Sequence, residues 1–423
     1  MYPLLSFYLK RLIRKGTLTI HTVDGGHHSF GDGEPPHVEL AIKTRAAERQ
    51  IGHNPALKLG ECYMDGEVDM VLGSIYDLIA LVFDNAAMTA TGQPWMKAIE
   101  QVRLLYRRVV QNNVPKRSRR NVQRHYDLSG DLYALFLDPD WQYSCAYFET
   151  PEQSLADAQL AKKRHIAAKL RFDRPGLSTL DIGSGWGGMG LYLARECGAR
   201  VKGVTLSDEQ LKRSNTRAVE SGLSDRVRFE LQDYRHIEER FDRIVSVGMF
   251  EHVGRDFYDP FFQQAAKLLK PDGVMLLHTI GRTTPPYNTN SFIDRHIFPG
   301  GYIPSLSEVM PAIECSGLGI TDIEVLRLHY AETCRAWRMA FLERWSEAEA
   351  LYDRRFCRMW EFYLAISEAS FRWQGYVVFQ IQLTHAVDAL PIRRDYMTET
   401  EKALKQREAR AVEQPERACV AAE

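Results

Sequence analysis

The sequence lacks the features that mark several protein classes. Its seven cysteines (Cys62, Cys145, Cys197, Cys315, Cys334, Cys357 and Cys419) are odd in number, widely spaced and without a CxxC pair. That pattern excludes a disulfide framework, offers no metal site and fits a reducing compartment. Net charge is lacking too, since 54 Lys and Arg almost cancel 55 Asp and Glu to leave a formal −1. A nucleic-acid binder carries a basic excess, so no nucleic-acid partner is expected. No apolar run is long enough to cross a bilayer; the longest, 70–83, has 14 residues, contains Asp77 and reads as a core or interfacial helix. The opening MYPLLSFYLKRLIRK places its basic residues after the apolar stretch, with no small-residue cleavage site following, so no signal peptide is expected. Glycine and proline are scattered, and no internal repeat is visible. What remains is a cytoplasmic protein that meets a membrane only by docking on its surface.

Hydrophobic residues make up 45% and charged residues 26%, an ordinary globular composition, and 423 residues suffice for one large domain and a smaller one. Residues 1–120 show no parallel α/β rhythm. An amphipathic helix over 2–13 (Leu4, Leu5, Tyr8, Leu9, Leu12, Ile13) precedes a strand at 17–22, a turn at Asp24-Gly25-Gly26 and a strand at 38–42. Helical patterns follow at 76–88 and 95–110, which gives a small α+β domain. Within 101–126, Arg103, Arg107, Arg108, Lys116, Arg117, Arg119, Arg120 and Arg124 face no acidic residue. Two readings stand equally here: a solvated helix end and linker, or a patch for anionic lipid phosphates at about 1 kcal/mol per basic side chain. The segment 398–423 is charged, lacks aromatics and is expected to be a disordered tail.

From 176 onward strands and helices alternate. Strands are expected at 177–182, 200–205, 227–231, 243–247 and 274–279, with helices at 189–197, 208–220 and 256–269. That rhythm predicts an α/β fold with a doubly wound, mostly parallel sheet, whose ligands bind beyond the carboxyl ends of the strands. After the first strand, Gly183, Gly185 and Gly188 satisfy GxGxxG, which alone is weak. Asp181 sets a carboxylate beside this loop, where it suits the cationic amino group of a bound amino acid and repels a pyrophosphate. The second strand ends in Thr205-Leu206-Ser207, without the acid that a dinucleotide's ribose wants. These residues favour S-adenosylmethionine over NAD, with a purely structural turn behind both.

Six segments then stand in one order: Tyr143-Ser144-Cys145-Ala146-Tyr147-Phe148, the 180–187 loop, Val204-Thr205-Leu206-Ser207-Asp208-Glu209-Gln210, Leu231-Gln232-Asp233-Tyr234-Arg235, Met249-Phe250-Glu251-His252-Val253-Gly254 and Leu277-His278-Thr279-Ile280-Gly281. Together they resemble the cyclopropane-fatty-acyl-phospholipid synthases and the mycolic acid cyclopropane synthases. His125-Tyr126-Asp127-Leu128 and Phe298-Pro299-Gly300-Gly301-Tyr302-Ile303-Pro304 are similar to that family as well. The resemblance covers about 120–385, and the N-terminal region is similar to the extra domain of the phospholipid-modifying branch. It implies a class I methyltransferase catalytic domain over 121–397, following a lipid-associating domain at 1–120. The implied reaction moves the sulfonium methyl to the cis double bond of an unsaturated phospholipid chain in an anionic membrane surface. A bound bicarbonate then removes a proton as the cyclopropane ring closes. The resemblance places the protein at the inner face of the membrane and leaves a homodimer open.

The implied bicarbonate cage comprises Cys145 and Ile280 through backbone groups, and Glu251, His278 and Tyr330 through side chains. Singly, each has a plainer reading: a helix cap for Glu251, a satisfied core residue for His278, packing for Tyr330. For adenosylmethionine the implied residues are Tyr143 and Ser144; Thr179, Leu180, Asp181 and Ile182; Gly183, Ser184, Gly185, Trp186 and Gly187; Thr205, Leu206 and Ser207; Asp208, Glu209 and Gln210; and Asp233 with Tyr234. Thr205, Ser207 and Gln210 suit the ribose, and Asp233 the adenine amino group. A carboxylate beside an anion needs a reason, and Glu251 accepting a hydrogen bond from the bicarbonate hydroxyl supplies it. The family's late-helix cysteine is replaced by Ser367 in Leu364-Ala365-Ile366-Ser367-Glu368-Ala369-Ser370-Phe371; no step needs a thiolate, so no cysteine is assigned as nucleophile. Aromatic-rich helices at 335–347 and 352–372 read as core before tunnel. A methyl-branched or methylene product is the nearest alternative to the ring, and an NAD-dependent oxidoreductase the alternative of a different class.

Overall fold

Two sheets organise the chain. The computed structural model describes residues 1–89 and 130–420. In the N-terminal part, α1 (Pro3–Leu12), β1 (Thr17–Thr22), β2 (His27–Gly31), β3 (His37–Ile42), α2 (Arg45–His53), α3 (Pro55–Met64), β4 (Val68–Leu72) and α4 (Ile75–Thr89) follow in order. The sheet runs β2-β1-β3-β4, with β1 parallel to β3 and the other pairs antiparallel. Alternate residues of β1 and β3 are buried, as a sheet with one covered face requires. The opening helix forms as predicted, but its apolar face (Leu5, Leu9, with Ile13 just beyond) is buried in its own domain. Outside, Phe7 lies under Arg11, with the guanidinium 3.6 Å from the ring centroid.

The apolar run 70–83 is not one helix. Its first three residues close β4, and the chain turns at Gly73, whose φ of +81° favours glycine. Helix α4 then starts after a Ser74–Asp77 cap, in which the Ser74 N–H and hydroxyl both donate to Asp77 Oδ2 at 2.7 Å. Hydrophobicity alone could not see this break, and β2, α2, α3 and β4 were not anticipated. The helical pattern at 95–110, the basic window 101–126 and the His125–Leu128 motif lie outside the described residues.

The larger sheet has the order β10-β11-β9-β8-β5-β6-β7. Strands β5 (Ser178–Ile182), β6 (Arg200–Thr205), β7 (Val227–Leu231), β8 (Phe241–Val247) and β9 (Leu269–Arg282) are parallel, within a few residues of expectation apart from the longer β9. Strands β10 (Gly319–Leu326) and β11 (Tyr376–Thr384) extend the sheet, and β11 runs antiparallel to both neighbours. After α5 (Gly130–Ala134), helices α6 (Leu155–Leu170), α7 (Gly188–Cys197), α8 (Asp208–Glu220), α9 (Tyr258–Leu268) and α10 (Leu306–Glu314) accompany this sheet, and neighbouring residues of β8 and β9 point into two different cores. The late helices are α11 (His329–Glu343), α12 (Trp345–Leu351) and α13 (Arg354–Trp373).

The expected disordered tail is a helix, α14 (Asp395–Val420). Met397 and Leu404 are buried, Glu401 bonds His165, and Glu408 accepts from Arg164 and from the Tyr192 hydroxyl, the latter at 2.6 Å. Lys405 reaches Glu149 at 2.8 Å. Composition suggested solvated charge, but residues 401, 405 and 408 fall on one helical face and meet partners on and beside α6.

The two parts are not separate bodies. One apolar cluster runs from α1 and the small sheet to α13. Gly60 of α3 permits the contact, because a Cβ there would come 2.4 Å from Phe292 and 2.8 Å from Phe362. Tyr63 donates to Glu361 at 2.6 Å, and Arg358 donates to Asp69 at 2.8 Å.

Candidate active site

Two cavities open beyond the carboxyl ends of β5, β6, β8 and β9. The first is built on turns. After β5 the chain takes left-handed conformations at Gly183 (φ +82°) and Gly185 (φ +54°), and a Cβ on Gly183 would lie 2.7 Å from Met249. Backbone can therefore approach a ligand closely there. Asp181 lines this cavity at 1% exposure; burial pushes its carboxyl up to about 7, and Oδ2 has no hydrogen-bond partner. An open buried carboxylate suits the ammonium group of an amino acid. Lys162, from α6, donates to Gln142 Oε1 at 2.5 Å and to Ser144 Oγ at 2.8 Å, and burial lowers it to about 8. The Thr205 hydroxyl donates to Gln210 Oε1 at 2.7 Å, and Asp233 accepts from Arg235 Nε at 2.8 Å.

Of the cofactor residues expected from sequence, Tyr143, Ser144, Asp181, Ile182, Gly183, Ser184, Gly185 and Trp186 line this cavity, as do Thr205, Leu206, Gln210, Asp233 and Tyr234. Six do not, and each has a local reason. Thr179 and Leu180 are buried within β5. Gly187 caps α7 with φ +84° and has no room for a Cβ beside Phe229. Ser207 caps α8 by accepting from the Gln210 N–H at 3.3 Å and is fully buried. Asp208 and Glu209 are exposed in that helix's first turn. Lys162, Met249 and His252 line the cavity without having been anticipated.

The second cavity is apolar, walled by Phe298, Ile303, Trp337, Tyr363, Ile366 and Phe371 among others. All five residues expected around an anion line it: Cys145, Glu251, His278, Ile280 and Tyr330. Glu251 sits in a 3-10 turn after β8 (Phe250–His252). Its Oε1 accepts from the Ile280 N–H at 2.5 Å, its Oε2 is buried without a partner, and burial raises the acid to about 6. The Ile280 N–H thus positions the Glu251 carboxylate. His278 Nδ1 bonds the Gln380 amide at 3.2 Å while Nε2 has no partner, and burial pulls the imidazole well below its ordinary pKa, keeping it neutral. Gln380 comes from β11, a strand the sequence did not announce.

Tyr330, in the first turn of α11, packs against Phe371 and Trp337, and burial raises its phenol well above the usual range. The Cys145 thiol donates to the Ala146 carbonyl at 3.3 Å and is raised by burial, so it is inert, in keeping with a backbone part only. Ser367 lines the same cavity. The aromatic helices divide their side chains, with Trp337 and Phe371 both in the core and on the cavity wall. Tyr143, Ser144, Gly248 and His252 line both cavities, and burial lowers His252 to about 4. A pocket with an open buried carboxylate thus adjoins a more apolar one with an open carboxylate oxygen and a neutral imidazole.

Comparison with known proteins gives a consistent picture. A family model described as mycolic acid cyclopropane synthetase matches residues 113–381, and one described as a domain of unknown function (DUF7884) matches 6–94. The chain is 35% identical over 358 residues to the cyclopropane-fatty-acyl-phospholipid synthase of Escherichia coli (strain K12), covering 84% of this chain and 90% of that protein. It is 34% identical over 383 residues to the tuberculostearic acid methyltransferase UfaA1 of Mycobacterium tuberculosis, covering 87% and 88%. The structure of mycolic acid cyclopropane synthase CmaA1 complexed with SAH and CTAB matches with a TM-score of 0.60 at 36% identity, over 63% of this chain and 97% of that one.

Proposed function

Since this chain belongs to the mycolic acid cyclopropane synthetase family and is an S-adenosylmethionine-dependent methyltransferase, we propose that it cyclopropanates the cis double bond of an unsaturated phospholipid acyl chain. The observation that carries this reading is the pair of cavities joined at Tyr143, Ser144, Gly248 and His252, with the open atoms of Glu251 and His278 on the apolar side. S-adenosylmethionine supplies an electrophilic methyl group. Asp181 meets its ammonium end, the Gly183 and Gly185 backbone allows close approach, and Gln210, held by Thr205, faces the ribose and adenine side. An alkene needs no base to attack a sulfonium methyl. The need arises at ring closure, when a proton must leave the new methyl group.

Bicarbonate, when bound, supplies a base in an apolar cavity. Glu251 Oε2, His278, the Tyr330 side chain and the Cys145 backbone would hold it. Glu251 Oε2 would accept a hydrogen bond from its hydroxyl and fix the anion's orientation, while neutral His278 and Tyr330 would offer donors. The apolar wall excludes water, which would otherwise quench a cation as an alcohol. The same wall suits a chain that lives in a membrane, and we place the protein at the cytoplasmic face of an anionic bilayer as a peripheral protein. Among the described residues no helix is long and apolar enough to cross a membrane. The similarity to a tuberculostearic acid methyltransferase gives a second reading, in which the same cation loses a proton elsewhere and leaves a methyl-branched alkene or methylene chain. A dinucleotide reading has no such footing, since β6 ends without an acid.

The test is to incubate the protein with S-adenosylmethionine, bicarbonate and vesicles of cis-unsaturated phospholipid, then weigh the acyl chains before and after catalytic hydrogenation. A gain of one methylene that resists hydrogenation marks the ring. A gain that hydrogenates marks a methylene or methyl-branched alkene and overturns the ring.

A further inference from the structure

Arg282 closes β9 four residues beyond His278. Alternate residues of a strand share a face, so His278, Ile280 and Arg282 succeed one another on one face, with about 13 Å from first to last at roughly 3.3 Å per residue. Arg282 is 1% exposed. Its Nε donates to the Ile303 carbonyl at 2.9 Å, but Nη1 and Nη2 have no acceptor, and the side chain has no ion-pair partner among the described residues. The rings of Tyr287, Tyr376 and Tyr302 surround the guanidinium, with centroids at 3.6, 5.3 and 5.8 Å. Ring faces offset part of a cation's lost hydration. They accept none of the N–H bonds that lie in the guanidinium plane.

A second donor lies close in sequence. The Thr284 hydroxyl oxygen is buried and also without a partner. The residue packs on Gly375, where a Cβ would come 2.9 Å from the threonine methyl. A buried cation with open donors and no ion-pair partner, together with an open hydroxyl, suits an anion. Tyr302, Ile303 and Tyr376 also line the apolar cavity, so these donors stand behind its wall, displaced along β9 from the reacting end.

We propose that Arg282 and Thr284 bind the phosphate diester of the phospholipid whose acyl chain occupies this cavity. The proposal rests on the acyl-chain reading given above. Its geometry agrees with the lipid. A bilayer's hydrocarbon core is about 30 Å thick, and about 40–45 Å with headgroups, which puts a mid-chain bond roughly 10–14 Å from the phosphate layer. The same donors would also suit free phosphate; Tyr302, Ile303 and Tyr376, which contact Arg282 and also line the cavity, are the reason to assign them to the headgroup.

The experiment measures kcat/KM in one detergent for two substrates, a cis-unsaturated phosphatidylglycerol and the diacylglycerol carrying the same chains. The wild-type protein should prefer the phospholipid at least tenfold. Arg282→Gln should bring that ratio to within about twofold of one by slowing only the phospholipid, Arg282→Lys should keep part of it, and Thr284→Val should lower it by a smaller factor. Both substrates are read on one preparation, so loss of folded protein scales both rates and leaves the ratio alone. A wild-type ratio near one, or a ratio unchanged in Arg282→Gln, overturns the proposal. If inorganic phosphate raises the melting temperature of wild type more than that of Arg282→Gln while their substrate ratios agree, the site serves free phosphate and the headgroup assignment is wrong. A protein inert on both substrates overturns the acyl-chain reading itself, and this proposal with it.

Discussion

The two cavities share four lining residues but are built in different ways. The adenosylmethionine side rests on turns that follow consecutive strands, and several of its polar groups already serve one another, as Thr205 serves Gln210 and Arg235 serves Asp233. The acyl side rests on side chains from distant segments and keeps polar atoms open at Glu251 and His278. Its wall also depends on the N-terminal domain. Helix α13 presents Ile366, Ser367 and Phe371 to the cavity, and Arg358, Glu361 and Phe362 to α3 and β4. The cofactor side is thus a local device, whereas the acyl side is a product of long-range packing. The small domain helps shape the apolar cavity.

That contrast can be broken or sharpened by substitution. The largest effect is expected from His278→Ala, which removes an open donor from the acyl side. Turnover should fall about a hundredfold or more, some 2.7 kcal/mol of barrier, with adenosylmethionine affinity from calorimetry within about twofold of wild type. Next comes Asp181→Asn on the other side, which should weaken adenosylmethionine binding about tenfold, worth roughly 1.4 kcal/mol. Its turnover at saturating cofactor should change much less. If either variant moves both quantities together, the two sides are not independent.

A pH series should give an intermediate effect. Burial holds Asp181 up at about 7 and Glu251 at about 6, both above ordinary carboxylates. For acids raised in this way, the stabilising contribution is full below the unfolded pKa, near 4, and is lost as pH rises through 6 to 7. The ligand-free protein should therefore lose thermal stability between about pH 4 and 7 and level off above that. Adenosylmethionine favours ionised Asp181, so its affinity should rise about fivefold from pH 6 to 7.5, then level off as its own amino group deprotonates near pH 8. Asp181→Asn should flatten that rise; a slope surviving in the variant would assign it to another group. The smallest effect is expected from Ser367→Ala, which should keep its rate within about threefold. A loss beyond tenfold in a folded variant would give the late helix a chemical part that its apolar surroundings do not suggest.

How legible these parts were in the sequence follows the same division. Asp181, Gly183 and Gly185 were readable because a turn between a strand and a helix forces particular residues at fixed spacing. Glu251 and His278 were readable as a set, each at the end of a strand where ligands bind. Gln380 and Lys162 were not, since they arrive from an antiparallel strand far along the chain and from the helix before β5, and one polar residue in such an element has no spacing to betray it. Arg282 was hidden because it lies just past the expected end of β9, where no motif marks it. Residues 398–410 were misread because composition counts charges and cannot see that Glu401, Lys405 and Glu408 share a face with partners waiting on and beside α6. The run 70–83 misled in the opposite sense, its hydrophobicity concealing the turn at Gly73.

The central claim is that Glu251 acts on the acyl side only, by holding a base, and takes no part in binding the methyl donor. Calorimetry and turnover on Glu251→Gln, in the presence and absence of added bicarbonate, test it most directly. The account predicts adenosylmethionine affinity within about twofold of wild type, turnover down about a hundredfold, and partial recovery at high bicarbonate. Affinity lost in step with turnover, with no response to bicarbonate, would contradict it.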